Sequence, residues 1–333
     1  MGGSVTTDCS RSERARGIAM ATPFARLAVA GTGLIGGSFA LAARAAVPEI
    51  RITGWDRPEV LDRAVARGVV DVGRAQLADA IAGADLIYVA LPVGVAIDKL
   101  PEIARHASPD ALVTDASSTK RAVCVAAANC FGDSALFLGG HPMAGNELSG
   151  LDVADAMLFR GATYALVGPA STGAAPTGDL SAADDPGDRL IAGAIERAAT
   201  SDARVARFLH LITAMGARPM WMDAATHDRT VAIVSHLPQL VAVALAGVVA
   251  AKADQKNLPL SMAGRGLRDA LRLAGSPYAV WRDIILTNTD NLENALAAMG
   301  QAIEHLRATL RQRELEGQFA TANEVYRILR ELQ

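Results

Sequence analysis

A few polar side chains stand in otherwise apolar surroundings and are equipped for chemistry: Ser118, His141, Glu147, His227, Ser235, His236, Arg265, Arg268 and Arg272. His141 lies in Gly139-Gly140-His141-Pro142-Met143-Ala144-Gly145-Asn146-Glu147, a histidine flanked by glycines, held by a proline and followed by a carboxylate. An imidazole takes or gives a proton near neutral pH, so this is the place to expect proton transfer. Ser118 lies just past one strand-like run and His141 just past the next, in a loop, which puts both on the rim of one crevice. His227 and Ser235 are eight residues apart and share a face if their helix is regular, with His236 next to them. Arg265, Arg268 and Arg272, spaced three and four apart, share another face. A guanidinium fork bonds both oxygens of a carboxylate. Taken singly, the histidine reads as a structural hydrogen bonder and the arginines as a solvated face. Together they point to proton transfer beside a bound anion.

The elements that position these residues begin with a dinucleotide site. The apolar run Arg26–Ala30 enters Gly31-Thr32-Gly33-Leu34-Ile35-Gly36-Gly37-Ser38, an alanine-rich helix follows to about Ala46, and a second strand, 51–56, ends in Asp56. Strand, G-x-G-x-x-G, helix, strand and acid together make the full dinucleotide-binding context. Gly31 permits the turn, Gly33 the approach of a pyrophosphate and Gly36 the packing of helix on strand, while the helix N-terminus favours the phosphates. Asp56 suits the ribose hydroxyls of NAD; Arg57 beside it keeps NADP as the alternative. Thr32, Leu34 and Ile35 complete the loop, and Leu91, Pro92 and Ser117 sit at later strand ends that face the same crevice.

The α/β alternation continues with strands at 85–92, 111–115, 135–138 and 164–169, a Pro/Gly/Ser/Asp-rich surface insertion at 170–188, a helix over about 189–216 and a strand at 218–222. Beyond residue 223 the pattern is helical: one long helix from Thr226 to Ala251, kinked by Pro238, then segments over about 261–274, 277–300 and 301–331, the last with Arg311, Arg313 and Glu314 on its outer side. The expected fold is α/β: a disordered tail (1–25), a Rossmann-type nucleotide-binding domain (26–222) and an all-helical domain (223–333). Residues 230–250 are apolar nearly all round and must be buried on every side, which predicts a homodimer through the helical domain. A net charge of −3 argues against nucleic acid as a partner. Cys9, Cys124 and Cys130 have neither disulfide-framework nor metal-ligand spacing, which fits a reducing cytoplasm and no metal. No apolar run of about 18 residues is evident, so no membrane span is expected.

Five ordered blocks carry a specific resemblance. They are the glycine fingerprint, Thr114-Asp115-Ala116-Ser117-Ser118-Thr119-Lys120, His141-Pro142-Met143-Ala144-Gly145-Asn146-Glu147-Leu148-Ser149-Gly150, His227-Asp228-Arg229 with Ser235-His236-Leu237-Pro238, and Gly266-Leu267-Arg268-Asp269 leading to Arg272 and Trp281-Arg282-Asp283-Ile284. Over about residues 26–331 the chain resembles the prephenate/arogenate dehydrogenase family of tyrosine biosynthesis. The resemblance implies NAD(P)-dependent oxidative decarboxylation of a cyclohexadienol, prephenate or arogenate, and a helical dimerisation domain. It implies that His141 takes the proton of the ring hydroxyl and that Ser118 orients His141 or that hydroxyl. Arg272 would clamp a carboxylate, with Arg268 nearby and Asn146 among the substrate contacts. Glu147 would tune Arg272 or touch the side chain that distinguishes the two substrates. His227, Ser235 and His236 would line the cleft. Gln239 stands where prephenate-using members often carry a second histidine, which raises the weight of arogenate. The competing readings are a β-hydroxyacid-type dehydrogenase, disfavoured because Lys252 and Lys256 are the helical domain's lysines and lie in a polar stretch, and a non-catalytic NAD-binding sensor.

Overall fold

The structure is a computed structural model that describes residues 22–132, 135–145, 148–168, 202–254, 260–311 and 315–331. Most of the N-terminal tail, Asn146, Glu147, the 170–188 insertion, the first part of the helix expected over 189–216, Lys256, Arg313 and Glu314 lie outside the described residues.

Among the described residues eight strands form one sheet: β1 (Arg26–Ala30), β2 (Arg51–Trp55), β3 (Val72–Gly73), β4 (Leu86–Val89), β5 (Leu112–Asp115), β6 (Leu136–Pro142), β7 (Thr163–Val167) and β8 (Arg218–Met222). Their order is β3-β2-β1-β4-β5-β6-β7-β8. Pairing is parallel from β3 to β6, β7 runs antiparallel to β6, and β8 runs parallel to β7. Residues of β4 and β5 are buried throughout, as expected of strands covered on both faces. One cover includes α1 (Leu34–Ala46) and α6 (Ala203–Ala214), where Phe39 stacks on Tyr88 at 3.7 Å with Phe159 and Phe208 alongside. The other includes α3 (Leu77–Ile81), α4 (Val93–His106) and α5 (Arg121–Phe131), which pack Leu100, Ile103 and Val123 against Ile87 and Val113. Helix α2 (Pro58–Ala66) covers β2 and β3. The strand order reverses between β1 and β4, and a ligand crevice opens at such a switch point.

The end of β6 differs from the sequence expectation. The strand continues through His141 and Pro142, because β7 pairs antiparallel with Gly139–Pro142, so His141 is a strand residue opposite Ala165. Gly140 is required for the crossing over β5: a Cβ there would lie 2.6 Å from the Asp115 carbonyl oxygen.

The helical part begins with α7 (Ala224–Val231), capped by the Asp223 side chain. A π-helical turn over Ala232–His236 follows, then α8 (Leu237–Asp254), α9 (Arg265–Leu271), α10 (Tyr278–Thr287), α11 (Thr289–Thr309) and α12 (Glu316–Glu331). The helix expected from Thr226 with a kink at Pro238 is thus broken just ahead of that proline, and the regular turns that would set His227 and Ser235 on one face are absent. Pro238 has no N–H to continue the i→i−4 ladder, and the wider turn before it accommodates the loss. The expected break near residue 300 falls instead at Asn288, whose side-chain amide donates to the Asp228 carbonyl at 2.8 Å. The segment Ala224–Ala253, with mean hydropathy 1.9, is long and apolar enough to cross a membrane, which the sequence reading did not anticipate. It carries the buried His227, Asp228, His236 and Gln239, which face the first domain and the site.

Candidate active site

Helical and sheet parts meet around a cavity of about 560 Å³. Its sheet side is built from strand ends: Gly33–Ile35 after β1, Ala90–Val93 after β4, Ala116–Ser118 after β5 and His141–Gly145 at the end of β6. The opposite wall comes from Val234–His236 and Gln239, from Arg272 just past α9, and from Val280, Trp281 and Ile284 of α10. The halves are pinned around it. The Asp283 carboxylate accepts from Gly94 N at the start of α4 (3.1 Å), and the Thr119 and Thr287 hydroxyls bond at 2.7 Å.

The glycine turn fits a dinucleotide. Gly31 has φ +92°, and a Cβ there would meet the Ala90 carbonyl oxygen at 2.3 Å. A Cβ on Gly36 would sit 1.8 Å from the Gly31 oxygen, so this glycine sets how closely α1 lies on the turn. Gly33 would meet nothing within 4 Å; it faces the cavity at the N-terminus of α1, which has no side-chain cap and no acid in its first turn. These backbone N–H groups are open to a pyrophosphate. Of the expected cofactor residues, Gly33, Leu34, Ile35, Leu91, Pro92 and Ser117 line the cavity. Gly31, Thr32, Gly36, Asp56 and Arg57 lie outside its lining. Asp56 Oδ2 accepts from Thr32 N at 2.7 Å and from Thr32 Oγ1 at 3.1 Å, so it also holds the glycine turn.

His141 is 8% exposed and borders the cavity. Its Nδ1 lies 2.9 Å from Nε2 of His227, and His227 Nδ1 lies 2.8 Å from Asp228 Oδ1. The Asp228 carboxylate accepts from the backbone N–H of Lys120 (2.7 Å) and of Arg121 (2.9 Å), at the start of α5. Beneath lies a second anchor. Asp115 accepts from Gly140 N and Ser117 N, each at 3.0 Å, and pairs with Lys120 Nζ, both side chains being fully buried. Burial, with the neighbouring His227, Lys120 and His236, holds the His141 pKa well below the ordinary histidine value. Burial also lowers His227 against the pull of Asp228, and pushes His236 down to about 4. All three are neutral at pH 7. Two buried polar atoms on the cavity wall, Ser117 Oγ and His236 Nε2, have no hydrogen-bond partner among the described residues.

The expected site residues divide accordingly. His141, Ser118, Ser235, His236, Gln239 and Arg272 line one cavity. His227 stands behind His141, and it is His227, not Ser118, that holds the His141 ring. Arg265, Arg268 and Arg272 are all exposed, and of the three Arg272, the residue that caps α9, borders the cavity. Asp228, Asp115, Lys120, Asn288 and Trp281 drew no role from the sequence, although four of them lie in or beside the quoted motifs. The usable signals were an acid directly after a histidine and an acid closing a strand.

A Rossmann-type sheet joined to a helical wall, with a buried neutral histidine between them, defines a two-part dinucleotide-binding α/β protein. Residues 39–178 match the family described as prephenate dehydrogenase, nucleotide-binding domain, and residues 223–324 match prephenate dehydrogenase, dimerization domain. A prephenate dehydrogenase of Bacillus subtilis is 30% identical over 87% of this chain and 71% of its own length. One of Lactococcus lactis is 32% identical over 80% of this chain, which spans 65% of that relative's length. The solved prephenate dehydrogenase of Aquifex aeolicus, in complex with hydroxyphenyl propionate and NAD+, superposes with a TM-score of 0.75 at 25% identity, covering 94% of this chain and 99% of that one. The chain belongs to the prephenate dehydrogenase family.

Proposed function

We propose that the protein is an NAD-dependent prephenate dehydrogenase that converts prephenate to 4-hydroxyphenylpyruvate with loss of CO₂. The observation that carries this reading is the placement of His141, buried and neutral, between the glycine turn and the Arg272 wall. When bound, NAD+ accepts the hydride from the ring carbon that bears the hydroxyl. Gly33, Leu34 and Ile35, which line the cavity at the start of α1, would hold its phosphates, and Leu91, Pro92 and Ser117 would border it. His141 accepts the proton of the ring hydroxyl as that C–O bond gains carbonyl character. Ser118 hydrogen-bonds the same hydroxyl. Among the described lining residues Arg272 is the full charge, and it holds a substrate carboxylate. Ser235, His236 and Gln239 face the rest of the substrate, and Trp281 with Ile284 excludes water. Asn146 and Glu147, which follow His141 in the sequence, are assigned to the substrate side chain. Asp56 favours NAD, with NADP the alternative through Arg57. The helical part, residues 223–333, forms a homodimer. The free Cys124 and Cys130 accord with the cytoplasm.

Gln239, 3% exposed on the cavity wall, favours a second reading, arogenate dehydrogenase, because a neutral amide serves an ammonium as well as a keto group. The deciding experiment follows reduced-nicotinamide absorbance with prephenate or arogenate, each with NAD and NADP. Turnover of prephenate with NAD is expected. Silence in all four mixtures, with NAD still bound, would overturn the enzymatic reading in favour of a sensor.

A further inference from the structure

We propose that His227 and Asp228 form a positioning relay that fixes the tautomer of His141, leaving its Nε2 lone pair turned to the substrate. The proposal rests on the dehydrogenase reading above and adds two residues that act through His141 without touching substrate.

The argument is one of donors and acceptors. Asp228 sits against the N-terminus of α5, where a backbone N–H donates to each of its two carboxylate oxygens, so both oxygens act as acceptors. His227 must therefore donate from Nδ1 along the 2.8 Å contact. A neutral imidazole has one N–H, so His227 Nε2 carries a lone pair. His141 lies 2.9 Å from that lone pair and must donate from its own Nδ1. Its Nε2 is then left bare on the cavity side, the form a general base requires. The opposite tautomer would set two lone pairs against each other in a buried contact and would present an N–H to the hydroxyl.

Burial keeps this chain neutral, with Lys120 acting in the same direction and the Asp228 and Asp115 carboxylates opposing it at His227. Lys120 and its partner Asp115 face it from the β5–α5 connection, Arg121 reaches Asp228 from α5, and His236 faces it from the π turn. The relay also spans the two halves of the molecule. His141 belongs to the sheet, His227 and Asp228 to α7, and the N–H groups on Asp228 to the sheet part again. The Asn288 amide, donating to the Asp228 carbonyl at 2.8 Å, adds a brace from the start of α11. His141 is thus oriented only when the helical part is docked.

Two variants separate positioning from packing. His227→Gln retains an acceptor for His141 and a donor for Asp228; His227→Phe retains bulk and loses both. The expected result is a fall in kcat of about 10²-fold or more for His227→Phe, with KM for substrate little changed, and a fall of no more than about tenfold for His227→Gln. Equal losses in the two, or wild-type kcat in His227→Phe, would overturn the proposal. In parallel, ¹H–¹⁵N correlation spectra of histidine-labelled native protein at pH 7 read the tautomer directly, with His141 assigned by its loss in His141→Asn. A proton on Nδ1 and none on Nε2 is expected; a proton on Nε2 overturns the relay even if His227→Phe fails to fold. Absence of turnover by the native protein would instead defeat the dehydrogenase reading, and the spectra would still decide the relay.

Discussion

At the scale of single residues the proposed function assigns two different interactions, a proton acceptor at His141 and a carboxylate contact at Arg272, and kinetics separate them. His141→Asn removes the proton acceptor. A fall in kcat on the order of 10²–10⁴-fold is expected, with NAD affinity retained in a fluorescence titration. Unchanged kcat would remove His141 from the chemistry. Arg272→Ala removes a charge-assisted contact to substrate. A loss of roughly 1.5–3 kcal/mol appears as an increase in KM of about ten- to 150-fold. An unchanged KM would show that the carboxylate sits elsewhere. Both residues were visible in the sequence, His141 because glycine and proline isolate it and Arg272 because it ends an arginine triplet. Spacing alone did not separate Arg272, which borders the cavity, from Arg265 and Arg268, because Arg272 keeps helical backbone angles and the distinction lies in what other elements place around each side chain. Asp228 escaped notice because its value lies in two backbone N–H groups 107 and 108 residues away, a relation no local pattern encodes.

At the scale of elements, the strands that flank the switch point were legible because each is a short apolar run bounded by turn residues, and the glycine fingerprint fixed where the crevice opens. The two-residue strand β3 has too short a pattern to announce itself. The extension of β6 through His141 depends on its partner β7, and the break at Asn288 depends on a hydrogen bond to Asp228; neither is a local propensity. The β5–α5 connection is the element on which most of the site hangs, and it is held by Asp115 paired with Lys120, both fully buried. Asp115→Asn leaves the ammonium without a counter-charge in the interior and costs about 3–5 kcal/mol. Chemical denaturation of native and variant protein measures this directly. A loss under about 1 kcal/mol would mean that Lys120 finds water or another acceptor and that the pair is not what holds the connection.

At the scale of the whole molecule, burial of three neutral histidines ties folding to pH. The folded-state values of His141, His227 and His236 are all depressed, that of His236 to about 4, against about 6.5 in the unfolded chain. The unfolded chain therefore binds more protons below about pH 6.5. The stability is fully present above that value and is lost as pH falls towards the folded-state values. The lowered carboxylates Asp202, Asp223, Asp283 and Asp290 act below about pH 4, so a fall in Tm between pH 7 and 5 belongs to the histidines. A flat Tm across that interval would contradict their buried, neutral state. The same molecule leaves apolar surface uncovered. Helix α12 has no buried residue, yet it carries Phe319, Val325, Tyr326, Ile328 and Leu329, all exposed, and α11 adds Leu296, Ile303 and Leu306. A helix of 16 residues is marginal in water unless a face is packed, and an apolar surface of this kind marks an interface. The family places its dimerization domain over residues 223–324, which includes α11 and the start of α12. On the proposed homodimer, a second copy would cover this surface like against like across a two-fold axis, the commonest arrangement of soluble oligomers. Light scattering at micromolar concentration should return twice the 34.6 kDa chain mass. Phe319→Glu combined with Leu329→Glu should return the single-chain mass, because two carboxylates would then be buried in each half of the interface. A single-chain mass for the native protein would show instead that these helices pack against something other than a second copy.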